Sequence, residues 1–412
     1  MAGGGVPQLL KVNVKKHECE VTVQGHLVDS GIMSAILDEI IRHNGQFKIT
    51  EFVIGRTNRD ASRARIWYEA RTPSDLELIT DALLDRGCQL PAEQTLRVKA
   101  APKNSTAPED FYSTTNHYTE VRLDGTWHAV SNQRMDAVIV VKGKRAFCTK
   151  LRDVCRGDRV VVGHSGIRVR PESKDRERSD FAFMTNEVSS EKKVELAVSR
   201  LGRELKSGQT RLVVVAGPVV VHTGGSDGLC KLLRKGYVSA LLAGNALAVH
   251  DIEQALFGTS LGIDTKSGVP VREGHKNHMR AINAIHAAGG ITRAVKSGLL
   301  KTGIMHQCVR SKVPFVLAGS LRDDGPLPET ITDMNEAQEA YARHLVGATT
   351  VLMLSSMLHS IATGNMLPSW VRTLCVDINP SVVTKLMDRG SSQALGVVTD
   401  VGLFLHLLAR RI

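Results

Sequence analysis

VPFVLAGSLRDDGPL, from Val313 to Leu327, reads as a buried strand running straight into a polar loop stiffened by proline. The apolar run Val313 to Ala318 shows no alternation, as expected of a parallel strand covered on both faces, and Gly319-Ser320 lets backbone approach a ligand closely. Ligands of open α/β sheets bind outside the carboxyl ends of the strands, so Arg322, Asp323 and Asp324 stand where chemistry is expected.

The same grammar recurs upstream and downstream. RLVVVAGPVVV (Arg211 to Val221) is a strand ending in a Gly217-Pro218 turn, followed by His222, Thr223 and Gly224; VSALLAGNALA (Val238 to Ala248) places Gly244, Asn245 and Ala246 after an apolar run. TLCVDINP (Thr373 to Pro380) ends a strand in Asp377, with Asn379 beyond it, and an aspartate at that position can accept the two hydroxyls of an adenosine ribose. Any one such turn is an ordinary strand-to-helix connection, but four in one region favour a nucleotide crevice. G-x-G-x-x-G and the G-x-x-x-x-G-K-S/T loop are both absent, so a dinucleotide must be held by another set of backbone amides.

At 412 residues, 42% hydrophobic and 23% charged, the chain has the length for two or three domains and the composition of an ordinary soluble protein. No apolar run is long enough to span a membrane, and the first ten residues carry no signal-peptide pattern, so a cytoplasmic location is expected. The net charge of +11 raises nucleic acid as a partner, but the basic residues are scattered and aromatics make up only 4%, so small anions are the expected partners. Seven cysteines with no C-x-x-C read as reduced core residues, and no metal site is expected.

Three modules are expected. Residues 1–109 carry a β-α-β-β-α-β order of ferredoxin-like type, with strands near 20–29, 47–55, 64–71 and 94–100 and a helix capped at Thr72-Pro73. Residues 110–193 hold short β runs and a charged linker at 171–193, and open on FYSTTNH, where Thr115 and Asn116 are candidate linings of a polar pocket or of a solvent-facing loop. Residues 194–412 alternate strand and helix as the largest domain. Glu273 and His275 precede a helix there; a metal pair of His275 with His278, a substrate or proton-transfer role, and a helix-start salt bridge all remain open. Cys308 lacks a sequence-adjacent base and reads as structural.

FYSTTNH (111–117), the stretch from Gly143 to Pro171, AGPVVVHTG (216–224), Gly274-His275, Ala281-Ile282-Asn283 and AGSLRDDGPLP (318–328) together resemble the archaeal-type ornithine cyclodeaminase family, also called the LOR/SDH family, and the C-terminal half of cyanobacterial arginine dihydrolase/ornithine cyclodeaminase fusions. The likeness runs from about residue 18 to the end, and 318–328 is its most specific block. It implies an α/β fold whose C-terminal parallel-sheet domain is Rossmann-like and similar to deoxyhypusine synthase, with a tightly held NAD reduced and reoxidised within one turnover. The implied reaction removes a hydride from the α-amine carbon of ornithine, closes the ring by attack of the δ-amine, releases ammonia and returns the hydride to give proline. With no counterpart of the arginine-hydrolysing domain, ornithine is the expected starting point.

On this resemblance Asp323 and Asp324 are the expected proton-shuttling pair, with no basis in spacing for choosing between them, and Arg322 is a fork suited to a carboxylate. Thr115, Asn116, Lys150, Glu273 and His275 are further substrate-side candidates. NAD is assigned to Gly217, Pro218, His222, Thr223, Gly224, Gly244, Asn245, Ala246, Gly319, Ser320, Asp377, Asn379 and Asp400, the last of which is equally read as a helix cap. A homo-oligomer is expected. The competing readings are an opine- or saccharopine-type dehydrogenase and a non-catalytic amino-acid or NAD sensor.

Overall fold

The computed structural model describes residues 17–25, 27, 31–55, 60, 62–90, 95–170, 190–264, 269, 271, 274–323, 325–389 and 394–412. They fall into two units, one ending at Arg170 and one starting at Ser190. Most of the expected linker, and the expected site residues Glu273 and Asp324, lie outside the described residues, as does the side chain of His275.

The first unit opens with β1 (His17–Gly25), α1 (Ile32–Arg42), β2 (Gln46–Val53), β3 (Ser62–Ala70) and α2 (Pro73–Asp85). The strands form an antiparallel sheet in the order β1-β3-β2. Alternate residues of β3, Ala64, Ile66 and Tyr68, are fully buried in one cluster with Ile36 and Ile40 of α1 and Ile79 and Leu83 of α2, so the two-residue strand period meets the helical period on one face. Thr72 caps α2 by accepting the Asp75 N–H at 3.1 Å, with Pro73 in the first helical position.

Then follow β4 (Val98–Ala100), β5 (Tyr118–Leu123), β6 (Thr126–Ser131), β7 (Val138–Lys142), β8 (Arg145–Thr149), β9 (Arg159–Val161) and β10 (Ile167–Arg170). They make a second sheet in the order β10-β5-β6-β8-β7-β9-β4, antiparallel except for the β6–β8 pair. The strand expected to close the ferredoxin-like sheet is β4, and it pairs instead with β9, where Val98 packs on the second sheet's own apolar cluster. On the other side of β1 from β3, the described residues show a bridge between Thr22 and Gln89. The ferredoxin-like order is therefore followed through β-α-β-β-α, and its last strand belongs to the neighbouring sheet.

The second unit runs α3 (Ser190–Lys206), β11 (Leu212–Ala216), α4 (Val219–His222), α5 (Ser226–Arg234), β12 (Val238–Gly244), α6 (Asn245–Phe257), β13 (Thr259–Ser260), β14 (Ile263–Asp264), α7 (Asn277–Ala288), α8 (Ile291–Lys296), α9 (Ile304–Arg310), β15 (Phe315–Ala318), β16 (Thr330–Ile331), α10 (Met334–Leu345), β17 (Thr350–Leu354), α11 (Met357–Gly364), β18 (Arg372–Asp377), α12 (Pro380–Arg389), β19 (Ala394–Val398) and α13 (Val401–Arg411). Seven strands form a parallel sheet in the order β16-β15-β12-β11-β17-β18-β19. Leu212, Val214 and Ala216 of β11 enter one apolar cluster while Val213 and Val215 enter the other, which explains why the strand sequence is apolar without alternation. From β11 the chain steps outward through β12, β15 and β16, then returns to the other side of β11 as β17 and continues to β18 and β19. The order reverses between β11 and β17, and that is where a doubly wound sheet opens its crevice.

Candidate active site

The strands of the C-terminal sheet end nearly level: Ala216 is paired with Ala243 and Leu354, Gly244 with Ala318, and Leu354 with Val376. At the usual spacing of ~4.8 Å between strands, the edge from β15 to β18 is roughly 19 Å long. Along it stand, in spatial order, the Gly319–Asp323 loop, Gly244, Gly217, Ser355-Ser356 and Asp377.

At the reversal point the two loops touch. Gly217 donates its N–H to Leu354 O at 2.9 Å, and a Cβ on Gly217 would fall 2.1 Å from the carbonyl oxygen of Ser355. Ser355 itself has a left-handed backbone (φ 44°), a conformation costly for a residue with a side chain. One strand along, Gly244 faces the imidazole of His359 from the first turn of α11; a Cβ there would come within 2.6 Å of Nε2. The other ring nitrogen, Nδ1, lies 3.2 Å from the hydroxyl of Tyr341, which in turn donates to Ala243 O at 2.7 Å. Burial lowers the pKa of His359, opposed by the charge of Asp323.

Asp323 lies in a tight turn after β15. Its carboxylate accepts the Ser320 N–H at 2.8 Å, and the Ser320 hydroxyl accepts the Arg322 N–H at 3.1 Å. Arg322 is exposed and, among the described residues, makes no ion pair with Asp323. At the end of β18, Asp377 Oδ1 accepts the Asn379 N–H at 2.8 Å, and Oδ2 carries no partner among the described residues. The residues fit a dinucleotide: an acid beyond the reversal point keeps one carboxylate oxygen unengaged among the described residues, and the glycines of two adjacent strand tips admit the Ser355 carbonyl and the His359 imidazole to the same edge.

The family described as the C-terminal Rossmann fold of ArgZ-like arginine dihydrolase matches residues 197–408, the first region of the same C-terminal part matches 118–198, and the LOR/SDH bifunctional enzyme conserved region matches 18–117. An ornithine cyclodeaminase of Methanocaldococcus jannaschii is 50% identical over 404 residues, 95% of this chain and 96% of that protein. The chain belongs to this family. The crystal structure of apo ArgZ, a cyanobacterial arginine dihydrolase, superposes with a TM-score of 0.84 at 42% identity, covering 98% of this chain and 60% of that one. A ternary complex of AgrE with ornithine and NAD+ matches with a TM-score of 0.52 at 46% identity, over 97% of this chain and 58% of that one. The chain thus spans somewhat more than half the length of these two proteins.

Within this family member, several expected residues are held by the fold itself. Asn245 is buried, and its Oδ1 accepts from Leu327 N–H at 3.0 Å and Thr330 Oγ1 at 2.9 Å, so its amide oxygen ties the strand tip to the stretch from Leu327 to Thr330. Asp400 caps α13 through the Leu403 N–H at 2.8 Å, which is the second of its two expected roles. Ala246 sits half-buried in the first turn of α6, Pro218 at the start of α4, and Gly319 under Ile331 and Thr332. Thr223 donates its hydroxyl to Val219 O and its own carbonyl packs on Gly402; Gly224 follows in the exposed turn.

His222 bonds Ser260 Oγ through Nδ1 at 2.6 Å and meets the His250 ring edge-on at 4.9 Å; burial and then His250 lower its pKa. Beneath them Glu253, fully buried, accepts from Thr259 Oγ1 and from the Gly262 and Leu261 N–H groups, so this loop is anchored by a carboxylate. Burial pushes the Cys308 thiol up, as suits an inert core cysteine. Among the described residues no group of three or more His, Cys, Asp or Glu could hold a metal, and no helix is long and apolar enough to cross a membrane.

In the N-terminal unit, Thr115 accepts from Gln133 Nε2 through its carbonyl at 2.6 Å, and Asn116 is buried nearby. Lys150 lies 3.8 Å from Asp153, which also lies 3.7 Å from Arg152. Burial, and then the charge of Arg152, lower the pKa of Arg134, whose buried Nε has no hydrogen-bond partner among the described residues. Neither Arg134 nor Arg152 is among the residues expected from sequence, yet with Lys150 they form a basic cluster whose charges are countered by Asp136 and Asp153.

Proposed function

We propose that this protein converts ornithine to proline and ammonia, with NAD held along the carboxyl edge of the C-terminal sheet and regenerated in each turnover. The observation that carries this reading is the 50% identity, over nearly the full length of both chains, to an archaeal protein bearing that activity in its name, joined to an edge whose residues suit the cofactor. The related AgrE, captured with ornithine and NAD+ together, supports the same pairing of substrate and cofactor.

When bound, NAD supplies an acceptor for the hydride and a donor for its return. The rest falls to the chain. Asp377 Oδ2 takes the ribose hydroxyls, and its negative charge disfavours a 2′-phosphate at that place. Gly217 and Gly244, lacking side chains, let the Ser355 carbonyl and the His359 imidazole close in on the strand tips. Asp323, held by the Ser320 N–H, offers a carboxylate to the ammonium groups, and Arg322 a guanidinium to the carboxylate of the amino acid. Water must be kept from the imine until the ring has closed, since hydrolysis there diverts the product to a keto acid.

Ornithine deuterated at the α-carbon tests the closed cycle. Proline carrying the deuterium at its own α-carbon is the expected product. Deuterium accumulating in free NADH would point instead to a dehydrogenase, and binding without any turnover to a sensor.

A further inference from the structure

Resting on that reading, we infer that His359 is the catalytic base of the ring closure and that Tyr341 is the positioning residue that fixes which of its nitrogens is bare. The Tyr341 hydroxyl has one proton and two neighbours. The contact to Ala243 O, at 2.7 Å, is the shorter, and a carbonyl can only accept, so the proton goes there. The phenol oxygen then accepts from His359, 3.2 Å away, which puts the imidazole proton on Nδ1. Nε2 is left as a lone pair.

Three surroundings keep it so. His359 is half-buried, and burial disfavours the imidazolium. Nε2 faces Gly244, the residue preceding the thirteen-residue helix α6, whose N-terminal field also disfavours a positive ring. The one charged group that acts on it from the packed elements among the described residues is Asp323, on the loop after β15, which pulls the other way. Nε2 makes no hydrogen bond among the described residues and is not sealed from solvent. A neutral imidazole, orientated by a second side chain and bare on its site-facing nitrogen, is the arrangement of a general base.

The step it serves is a proton transfer. Both amines react as free bases, their ammonium protons having passed to solvent. As the δ-nitrogen bonds to the imine carbon, the C=N pair moves to the α-nitrogen and the new ring nitrogen gives a proton to Nε2: an N–H bond breaks and an Nε2–H bond forms. The same proton passes to the α-nitrogen as its bond to carbon breaks and ammonia leaves, so the imidazole ends as it began. Neither Tyr341 nor Asp323 needs to change protonation state for this.

Two variants and one spectrum test it. Nitrogen-15 NMR of histidine-labelled wild-type protein, without substrate, should show His359 protonated at Nδ1 only; a ring protonated at Nε2 would overturn the assignment whatever the activity. His359→Gln should lose ~100-fold or more in kcat while retaining nucleotide and still binding ornithine. Turnover within about threefold of wild type would overturn the proposal. Tyr341→Phe should turn over more slowly, show mixed tautomers, and move the acid limb of its kcat profile to lower pH, because the lost acceptor had favoured the charged ring. A pH profile and tautomer identical to wild type would overturn the positioning role. Wild-type protein making no proline from ornithine would sink the functional reading itself, a result separate from the spectrum.

Discussion

The α-carbon of Gly217 is pressed against the carbonyl oxygen of Ser355, so that any side chain at 217 would start 2.1 Å from that oxygen. The contact joins the tips of β11 and β17, the two strands between which the sheet changes direction. Gly217→Ala must therefore displace the Ser355 loop, already strained by its left-handed backbone. We expect a loss of ~1–3 kcal/mol in stability, from urea midpoints, together with loss of co-purified nucleotide.

Asp377 offers a narrower test. Asparagine keeps the oxygen that accepts the Asn379 N–H and replaces only the free carboxylate oxygen by a donor. Asp377→Asn should fold as the wild type does but bind NAD ~10–100-fold more weakly by calorimetry, the size of a lost hydrogen bond to a charged group. Unchanged affinity would remove Asp377 from the ribose site.

A third prediction concerns the core beneath the site. Asp251 is fully buried and accepts the N–H groups of Ile304 and Met305, at 2.7 and 2.8 Å, at the start of α9. Burial raises its pKa to about 6 from 3.8, against the opposing pull of those two bonds. A raised folded pKa means that the folded chain binds this proton first, so the linked stability is full below about pH 4 and is lost as pH rises through about 6. Asp251→Ala strips both amides of their acceptor and should cost ~2–4 kcal/mol. Its deficit relative to wild type should be larger at about pH 4.5 than at about pH 7, measured by chemical unfolding.

How far the sequence discloses this molecule depends on how complete each local signal is. Val313 to Ala318 and Leu212 to Ala216 are apolar on both faces and end in glycine, and both lie where the sequence placed them. Thr350 to Leu354 is as apolar, but a pair of serines follows it where the others have glycine, so the strand-to-glycine signal is missing there, and with it any sign of Ser355, His359 and the reversal point of the sheet. The run of apolar residues in TVLML was the available signal. In the N-terminal unit TWHAVS, which forms β6, buries only Val130 and so carries an equally weak strand signal. Asn245 shows the opposite failure: an amide after a glycine at a strand tip suits a ligand, and nothing local discloses that Leu327 and Thr330 already engage it from 82 and 85 residues away.

Asp323 joins the site's electrostatics to its chemistry. Its charge raises the pKa of His359, so Asp323→Asn should shift the acid limb of turnover to lower pH and reduce kcat ~10–1000-fold, with nucleotide retained. Steady-state kinetics across pH on the purified variant would show both effects. A variant with full activity and an unmoved profile would show that the charge of Asp323 does not act on His359 in turnover.

The central claim is a closed redox cycle on ornithine, and its most direct measurement is a product balance. Purified protein with its bound nucleotide, given ornithine and no reductant, should yield proline and ammonia in equal amounts while the absorbance of free reduced nicotinamide stays flat. Reduced nicotinamide rising in step with ornithine consumed, or ornithine left intact by nucleotide-loaded protein, would contradict it.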